Sequence, residues 1–234
     1  MSDKLRMEYI DEDRYKRIFV FGDLHGSLHL FDEMIKKISL RKDDLVVILG
    51  DSCDRGKDSI GLYIKYTEMI KEGYSIKHIR GNHEDMFLKG YFYDENWPYD
   101  LWWENGGRKV LVELTKKGYE REDIKFIREY IEGTPHLISS KSYLFVHAGY
   151  DCEIDEKEQD PECLMWDRSN FWLANNTGKE IYYGHTPSRD NKIKVRENGC
   201  YGMDVGAVFF DNLSIMEVKT KEVIDLGREI MEKR

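Results

Sequence analysis

Three short apolar runs, each followed by a glycine and a cluster of Asp, His or Asn, constrain this chain more than any other feature. The runs are Ile18–Phe21 ahead of Gly22, residues 45–49 ahead of Gly50, and a weaker one at 75–79 ahead of Gly81. Between them, Leu28, Phe31, Ile35 and Ile38, and then Ile60, Tyr63, Ile64, Thr67 and Ile70, recur at helical spacing. The order strand, helix, strand, helix, strand predicts a parallel sheet in an α/β fold. In such sheets ligands bind beyond the carboxyl ends of the strands, which is where these polar clusters fall.

The second half changes character. Helical periods cover 108–116 and 123–132, and strand-like segments follow at 143–146, 181–183, 200–203 and 213–218. These suit antiparallel or mixed pairing, and a second sheet packed on the first would bury both faces. Residues 91–103 hold three tyrosines, three tryptophans and a phenylalanine among acidic residues. That segment reads as a loop with short helical pieces whose aromatics pack. With no internal repeat and no Pro- or Gly/Ser-rich linker, residues 1–234 read as a single domain.

A formal charge of −9 argues against a general affinity for nucleic acid or an anionic membrane, either of which needs a basic face. It does not argue against an anionic substrate, because carboxylates that hold metal count as negative in a tally yet sit in a cationic site once loaded. Cys53, Cys152, Cys163 and Cys200 form no CxxC pair and read as reduced thiols. The charged N-terminal stretch lacks the apolar core of a leader, and no apolar run approaches the roughly 20 residues of a membrane span. The expectation is a cytoplasmic protein.

Five motifs carry chemistry: Gly22-Asp23-Leu24-His25-Gly26, Gly50-Asp51-Ser52-Cys53-Asp54-Arg55-Gly56, Gly81-Asn82-His83-Glu84, Val146-His147-Ala148-Gly149 and Tyr183-Gly184-His185-Thr186. Asp23 and His25 are two apart, so in extended chain both point to one side and can grip one cation. Asp51, leaving the neighbouring strand, can bridge two cations with its two oxygens. Asn82 offers an amide oxygen, and His147 and His185 two more nitrogens. Mixed N/O ligands without thiolate suit Mn²⁺, Fe or Zn²⁺ better than a structural zinc knot. Two ions about 3.5–4 Å apart would clamp a phosphoryl group and generate a hydroxide nucleophile near neutral pH.

Each element alone is weak. A lone Asp-x-His is more often a polar pair in a loop, Asn-His before a helix reads first as a cap, and His147 alone suits a satisfied buried histidine. Asp54-Arg55 alone suits a surface ion pair. The weight lies in five ligand-bearing motifs in order, each beside a glycine.

At these residues the sequence resembles the PPP-type phosphoprotein phosphatases of the calcineurin-like metallophosphoesterase superfamily, whose pattern is GDxHG, GDxxDRG, GNHE, HAG and GH. The match spans 22–186, and Asp204-Val205-Gly206 resembles the closing family segment. The resemblance implies an αββα sandwich, two mixed sheets flanked by helices. It implies that Asp23 and His25 hold a first metal, that Asp51 bridges, and that Asn82, His147 and His185 hold the second. It implies His83 as general acid, oriented and kept protonated by Asp54, and Arg55 as a phosphate ligand. Arg168 stands where bacterial and phage members carry a second phosphate-binding arginine; its alternative is a surface arginine paired with Asp167. Asn105-Gly106-Gly107 resembles a segment near the groove of bacterial members. Other residues take plain readings: His29 solvent-facing, His78 directed away from the site, His136 in a turn, and 151–162 a solvated acidic loop.

Three functions fit. One is a serine/threonine phosphoprotein phosphatase using two metals, with Mn²⁺ first among the candidates and a phosphorylated protein or small phosphoester as partner. Another is a dinucleoside polyphosphate or related nucleotide hydrolase. The third, a non-catalytic module of the same fold, is disfavoured because no ligand or proposed acid is missing. Symmetrical bacterial dinucleoside tetraphosphatases typically lack an acid at the position of Asp54 and typically carry GNHD. Asp54 and Glu84 therefore lean toward the first.

Overall fold

Strand, glycine and ligand follow one another along the chain as the apolar runs require. The computed structural model describes residues 4–93 and 99–227. In chain order the elements are β1 (Met7–Tyr9), β2 (Ile18–Phe21), α1 (Leu28–Lys37), β3 (Leu45–Ile48), α2 (Ser59–Lys71), β4 (Ser75–His78), α3 (Asn82–Phe87), α4 (Tyr99–Trp102), α5 (Arg108–Lys117) and α6 (Lys125–Gly133). Then come β5 (Leu137–Ser139), β6 (Tyr143–Val146), α7 (Pro161–Trp166), β7 (Glu180–Tyr183), β8 (Lys194–Val195), β9 (Cys200–Gly202), α8 (Ala207–Phe210), β10 (Ser214–Glu217) and β11 (Glu222–Asp225).

Two mixed sheets form. One has the order β11-β10-β2-β3-β4, the other β1-β5-β6-β7-β9-β8. Within the first, β2, β3 and β4 are parallel and in level register, with Phe21 beside Ile48 and Ile48 beside His78. Within the second, β6, β7 and β9 are parallel. Successive side chains of a strand point to opposite faces, so Ile18 and Val20 meet the second sheet while Phe19 and Phe21 meet the helices. Phe145, Tyr182 and Met203 fill the layer between the sheets from the other side. Leu144, Val146, Ile181 and Tyr183 face outward onto Leu164 and Phe171. The architecture is the αββα sandwich, and strands covered on both faces explain the unbroken apolar runs.

Three details depart from the sequence reading. Residues 213–218 were expected among the second-sheet strands, but β10 pairs antiparallel with β2 in the first sheet. On α1 the fully buried stripe is Leu30, Phe31 and Met34, with Leu28 and Ile35 only partly covered. On α2 it is Ile60, Leu62, Tyr63, Tyr66 and Met69, and Ile70 is exposed. Periodicity finds a helix more readily than it fixes which flank turns inward, because both flanks carry apolar residues. The expected aromatic loop at 91–103 is helical at its two ends, while residues 94–98 lie outside the described part.

Candidate metal centre

The polar motifs meet where the parallel strands of both sheets end. Asp23 and His25 follow β2, Asp51 follows β3, and Asn82 and His83 open α3 after β4; His147 follows β6 and His185 follows β7. All seven are at most 4% exposed. The chain must turn sharply to do this. Among the described residues ten non-glycines have left-handed backbone, and five belong here: His25, Asp51, Asp54, Arg55 and His185. Such conformations cost of order 1–3 kcal/mol each and persist only where the surroundings fix them. Here the backbone of His25 donates to the Asp51 carbonyl (2.8 Å) and that of Gly26 to the Ser52 carbonyl (2.8 Å). Two glycines are required by close approach. A Cβ on Gly50, at φ 98°, would stand 2.8 Å from His147 Nδ1, and one on Gly184 2.3 Å from Asp23 Oδ1.

The histidines present lone pairs to the centre. His147 Nδ1 bonds the Leu49 carbonyl (2.7 Å) and His25 Nδ1 the Cys53 carbonyl (2.7 Å). A carbonyl only accepts, so each Nδ1 carries the proton and each neutral ring turns the lone pair of Nε2 to the centre, where that of His25 accepts from Arg55. His147 Nε2 then faces the Asn82 side-chain oxygen at 2.9 Å, His185 Nδ1 at 3.1 Å and Asp51 Oδ1 at 3.4 Å. His185 Nδ1 lies 3.0 Å from the same Asn82 oxygen. One proton on His185 Nδ1 can serve one of these contacts, not all of them, so acceptors face acceptors. His25 Nε2 lies 3.7 Å from Asp51 Oδ2 and 4.0 Å from Asp23 Oδ2. Asp23 Oδ1 accepts from the backbone of His185 (3.0 Å), while Oδ2 is buried without a hydrogen bond. Two groupings of donor atoms result, His25 with Asp51 and His83, and Asp51 with His147 and His185. Within each the atoms lie within 4.8 Å of one another, and Asp51 belongs to both.

The electrostatics agree. Burial pushes the Asp23 and Asp51 carboxyls well above the usual range, aided by Asp204 and Asp51 at Asp23 and by Glu84 at Asp51. Burial pushes His147 down to about 4 and, with the charge of His147, His185 to about 2. Neutral imidazoles are the form that binds metal, and crowded buried carboxylates call for a cation. The donor set fits two metal ions.

His83 stands apart in its bonding. Its Nδ1 pairs with Asp54 Oδ2 at 2.7 Å, and its Nε2 is 3.9 Å from Asp51 Oδ2. Asp54 Oδ1 in turn accepts from Trp102 Nε1 (2.9 Å). Asp54 thus makes the contact expected of it, although burial, then His25 and Arg55, work against charge on the His83 ring and hold its pKa well below the usual value. Arg55 donates from Nη1 to His25 Nε2 (2.6 Å), and its backbone donates to the Gly106 carbonyl (3.3 Å), so the 105–107 segment packs against this arginine. Arg168 is exposed and donates to Thr186 Oγ1 (2.9 Å), the residue after His185. Asp167 bonds Ser169 rather than Arg168.

Three residues do more than their sequence context indicates. Glu84, fully buried, accepts from the backbone of Asp51 (2.8 Å), Ser52 (2.8 Å) and Gly81 (3.0 Å), and from the Tyr63 hydroxyl (2.8 Å). It ties the second motif to the third. Burial alone would raise its pKa, but His78 and these hydrogen bonds hold it below the usual value. Trp102, in the aromatic segment expected to pack, stacks on Phe87 but also fixes Asp54. Asp204 lies against Asp23, and burial pushes it up to about 6. The remaining histidines follow expectation in part: His29 pairs with Asp211 at the surface, while His78 turns to Ser52 Oγ (3.1 Å) and so supports Glu84 from behind. His136 is buried and accepts from the backbone of Arg6 (3.1 Å).

Among the described residues no helix is long and apolar enough to cross a membrane. Residues 16–212 match the calcineurin-like phosphoesterase family model. The chain is 30% identical to serine/threonine-protein phosphatase 2 of Salmonella typhimurium, over 92% of this chain and 99% of that protein. It is 23% identical to an asymmetrical bis(5'-nucleosyl)-tetraphosphatase of Oceanobacillus iheyensis, over 90% and 92%. A protein serine/threonine phosphatase structure from Saccharomyces cerevisiae superposes with a TM-score of 0.67 at 15% identity, covering all of this chain and 86% of that one. With a matched model that spans most of its length and a buried ligand cluster at its strand ends, the chain belongs to the calcineurin-like phosphoesterases and is a phosphoester hydrolase.

Proposed function

We propose that this hydrolase is a dinuclear serine/threonine phosphoprotein phosphatase. The observation that carries the reading is the buried Trp102–Asp54–His83 chain beside the ligand cluster. Serine and threonine alkoxides are poor leaving groups and need a proton as the P–O bond breaks. Asp54 fixes the His83 ring through Nδ1, so in the protonated ring the proton that can pass to a leaving oxygen is the one on Nε2, on the side facing Asp51, and the Asp54 contact favours that charged form against the burial that opposes it. A polyphosphate anhydride leaves as a phosphate, which has far less need of that proton. The name of the Salmonella relative supports the same reading. The tetraphosphatase relative, less similar, keeps the nucleotide alternative as the second arm of the test.

In this reading Asp23, His25 and Asp51 hold one metal ion, and Asp51, Asn82, His147 and His185 the other. When bound, the ions supply Lewis-acid polarisation of the phosphoryl group and acidify water; Mn²⁺ is the first candidate, with Fe and Zn²⁺ next. Arg55 and Arg168 approach from opposite halves of the chain, and guanidinium forks match phosphoryl oxygens. The substrate is a phosphorylated protein or a small phosphoester, met in the cytoplasm. Turnover of phosphoserine and phosphothreonine peptides, p-nitrophenyl phosphate and diadenosine tetraphosphate, each with Mn²⁺, Fe²⁺ and Zn²⁺, tests the proposal. Phosphopeptides should lead; a tetraphosphate preferred over every phosphopeptide would replace this reading by the nucleotide one.

A further inference from the structure

Next to the metal centre, on the second-sheet side, lies a cavity of about 300 Å³. Ala148, Gly184 and Thr186 form its inner wall, each adjacent in sequence to His147 or His185. Its outer wall is cationic and aromatic, carrying Arg168, Lys194, Arg196, Trp172 and Tyr183. In a chain of net charge −9 that sign runs against the whole. The wall's one acid, Asp167, is engaged by Ser169.

Arg196 is held in place. Its guanidinium lies 4.6 Å from the centre of the Trp172 ring, and its Nε donates to the Tyr183 hydroxyl (3.2 Å). Trp172 in turn lies parallel to Tyr183, 5.7 Å between centres at 9°. A cation already fixed loses little freedom when an anion docks, so its charge is available for selectivity. The same stack argues against a nucleobase, which needs an open aromatic face. The Trp172 ring is shared between Tyr183 and Arg196. Lys194 is tied to Asp190 at 2.6 Å and contributes a second, partly compensated charge.

We propose that this cavity is a specificity subsite for a carboxylate side chain flanking the scissile phosphate of a phosphopeptide, with Arg196 as its principal donor. This rests on the protein-phosphatase reading. Arg168, bonded to Thr186, belongs to the phosphate clamp; Arg196 and Lys194 do not.

The test is a set of phosphoserine peptides in which each neighbouring position is Ala or Glu in turn, with p-nitrophenyl phosphate in parallel. In the wild-type enzyme Glu at one position should raise kcat/KM by about tenfold, chiefly through KM, the size of one charge-assisted contact. Arg196→Gln should abolish that preference and leave p-nitrophenyl phosphate turnover unchanged. Arg196→Lys should keep much of it, Arg196→Glu should invert it toward a basic neighbour, and Lys194→Gln should lower it modestly. A flat profile in a wild-type enzyme that turns over the peptides overturns the subsite alone. So does a preference that survives Arg196→Gln, or one lost equally in Arg196→Lys and Arg196→Gln. Hydrolysis of diadenosine tetraphosphate with no peptide turnover overturns the phosphatase reading and the subsite together.

Discussion

At the ends of β2, β3 and β4 the side chains of the centre are held mainly by other buried side chains, whereas after β6 and β7 the anchoring is mainly by backbone, with His185 the exception, its amide bonded to Asp23 Oδ1. On the first side Glu84 gathers the amides of Asp51, Ser52 and Gly81, and Trp102 fixes Asp54, which fixes His83. His25 is the exception there, tied to the Cys53 carbonyl. On the second side His147 bonds the Leu49 carbonyl, the Gly184 amide bonds the His147 carbonyl (2.8 Å), and the Ala148 amide bonds that of Leu164 (2.7 Å). A side chain can be deleted by one substitution and a chain path cannot. The first half should therefore be sensitive at supporting residues, and the second mainly at the residues that face substrate or metal.

The largest expected effect lies where the halves join. Asp51→Asn should lose both ions by elemental analysis and reduce kcat/KM well beyond the roughly 10–100-fold typical of an outer-shell change. Two tightly held ions in that variant would break the shared-ligand role. Next is His83→Asn, expected to keep its metals and lose on the order of 10²–10⁴ in turnover of phosphoserine peptides. The loss should be smaller on p-nitrophenyl phosphate, whose leaving group needs little protonation, and Asp54→Asn should show a milder form of the same split. An equal loss on both substrates with metals retained would remove His83 from leaving-group protonation.

Smaller effects sharpen the contrast. Glu84→Gln puts an NH₂ group where a carboxylate oxygen accepts hydrogen bonds from buried donors. It should lower stability in urea unfolding by about 1–3 kcal/mol for each amide left unsatisfied and weaken metal affinity by roughly 10–100-fold. Wild-type affinity in that variant would show that the Glu84 staple does not position Asp51. Arg168→Ala, on the backbone-held side, should cost about tenfold in kcat/KM and weaken inhibition by free phosphate, with no change in unfolding. Unaltered phosphate inhibition would point to a different second arginine.

The fold and the meeting of these polar residues were legible in the sequence because the candidate ligands sit at strand ends beside glycines, where apolar run and polar cluster abut. Trp102 was not legible as a site residue. It lies 48 positions from Asp54 in an aromatic-rich segment, and nothing in its surroundings distinguishes a ring that donates from one that only packs. Glu84 was readable as part of GNHE, but its four bonds depend on how the second and third motifs fold together. The sheet that β10 joins is not legible for a related reason: apolar residues on both faces say that a strand is buried, not which neighbour it pairs with. Arg168 rested on a loosely patterned segment, and its link to Thr186 comes from a loop path that no local spacing encodes.

The layer between the sheets has a consequence for metal choice. Asp23, His25, Asp51 and Asn82 ride on one sheet, and His147 and His185 on the other. Val20, Val47 and Leu49 meet Phe145, Tyr182 and Met203 between them. This apolar layer acts as a calliper: its thickness sets how far apart the two sets of donor atoms stand. A close-packed interior compresses little, so the gauge holds its setting, and a methyl group gained or lost at Val47 is transmitted to the ligands as displacement. Substitutions in this layer, at side chains with no donor atom to offer a metal, should therefore alter which ion the candidate site prefers.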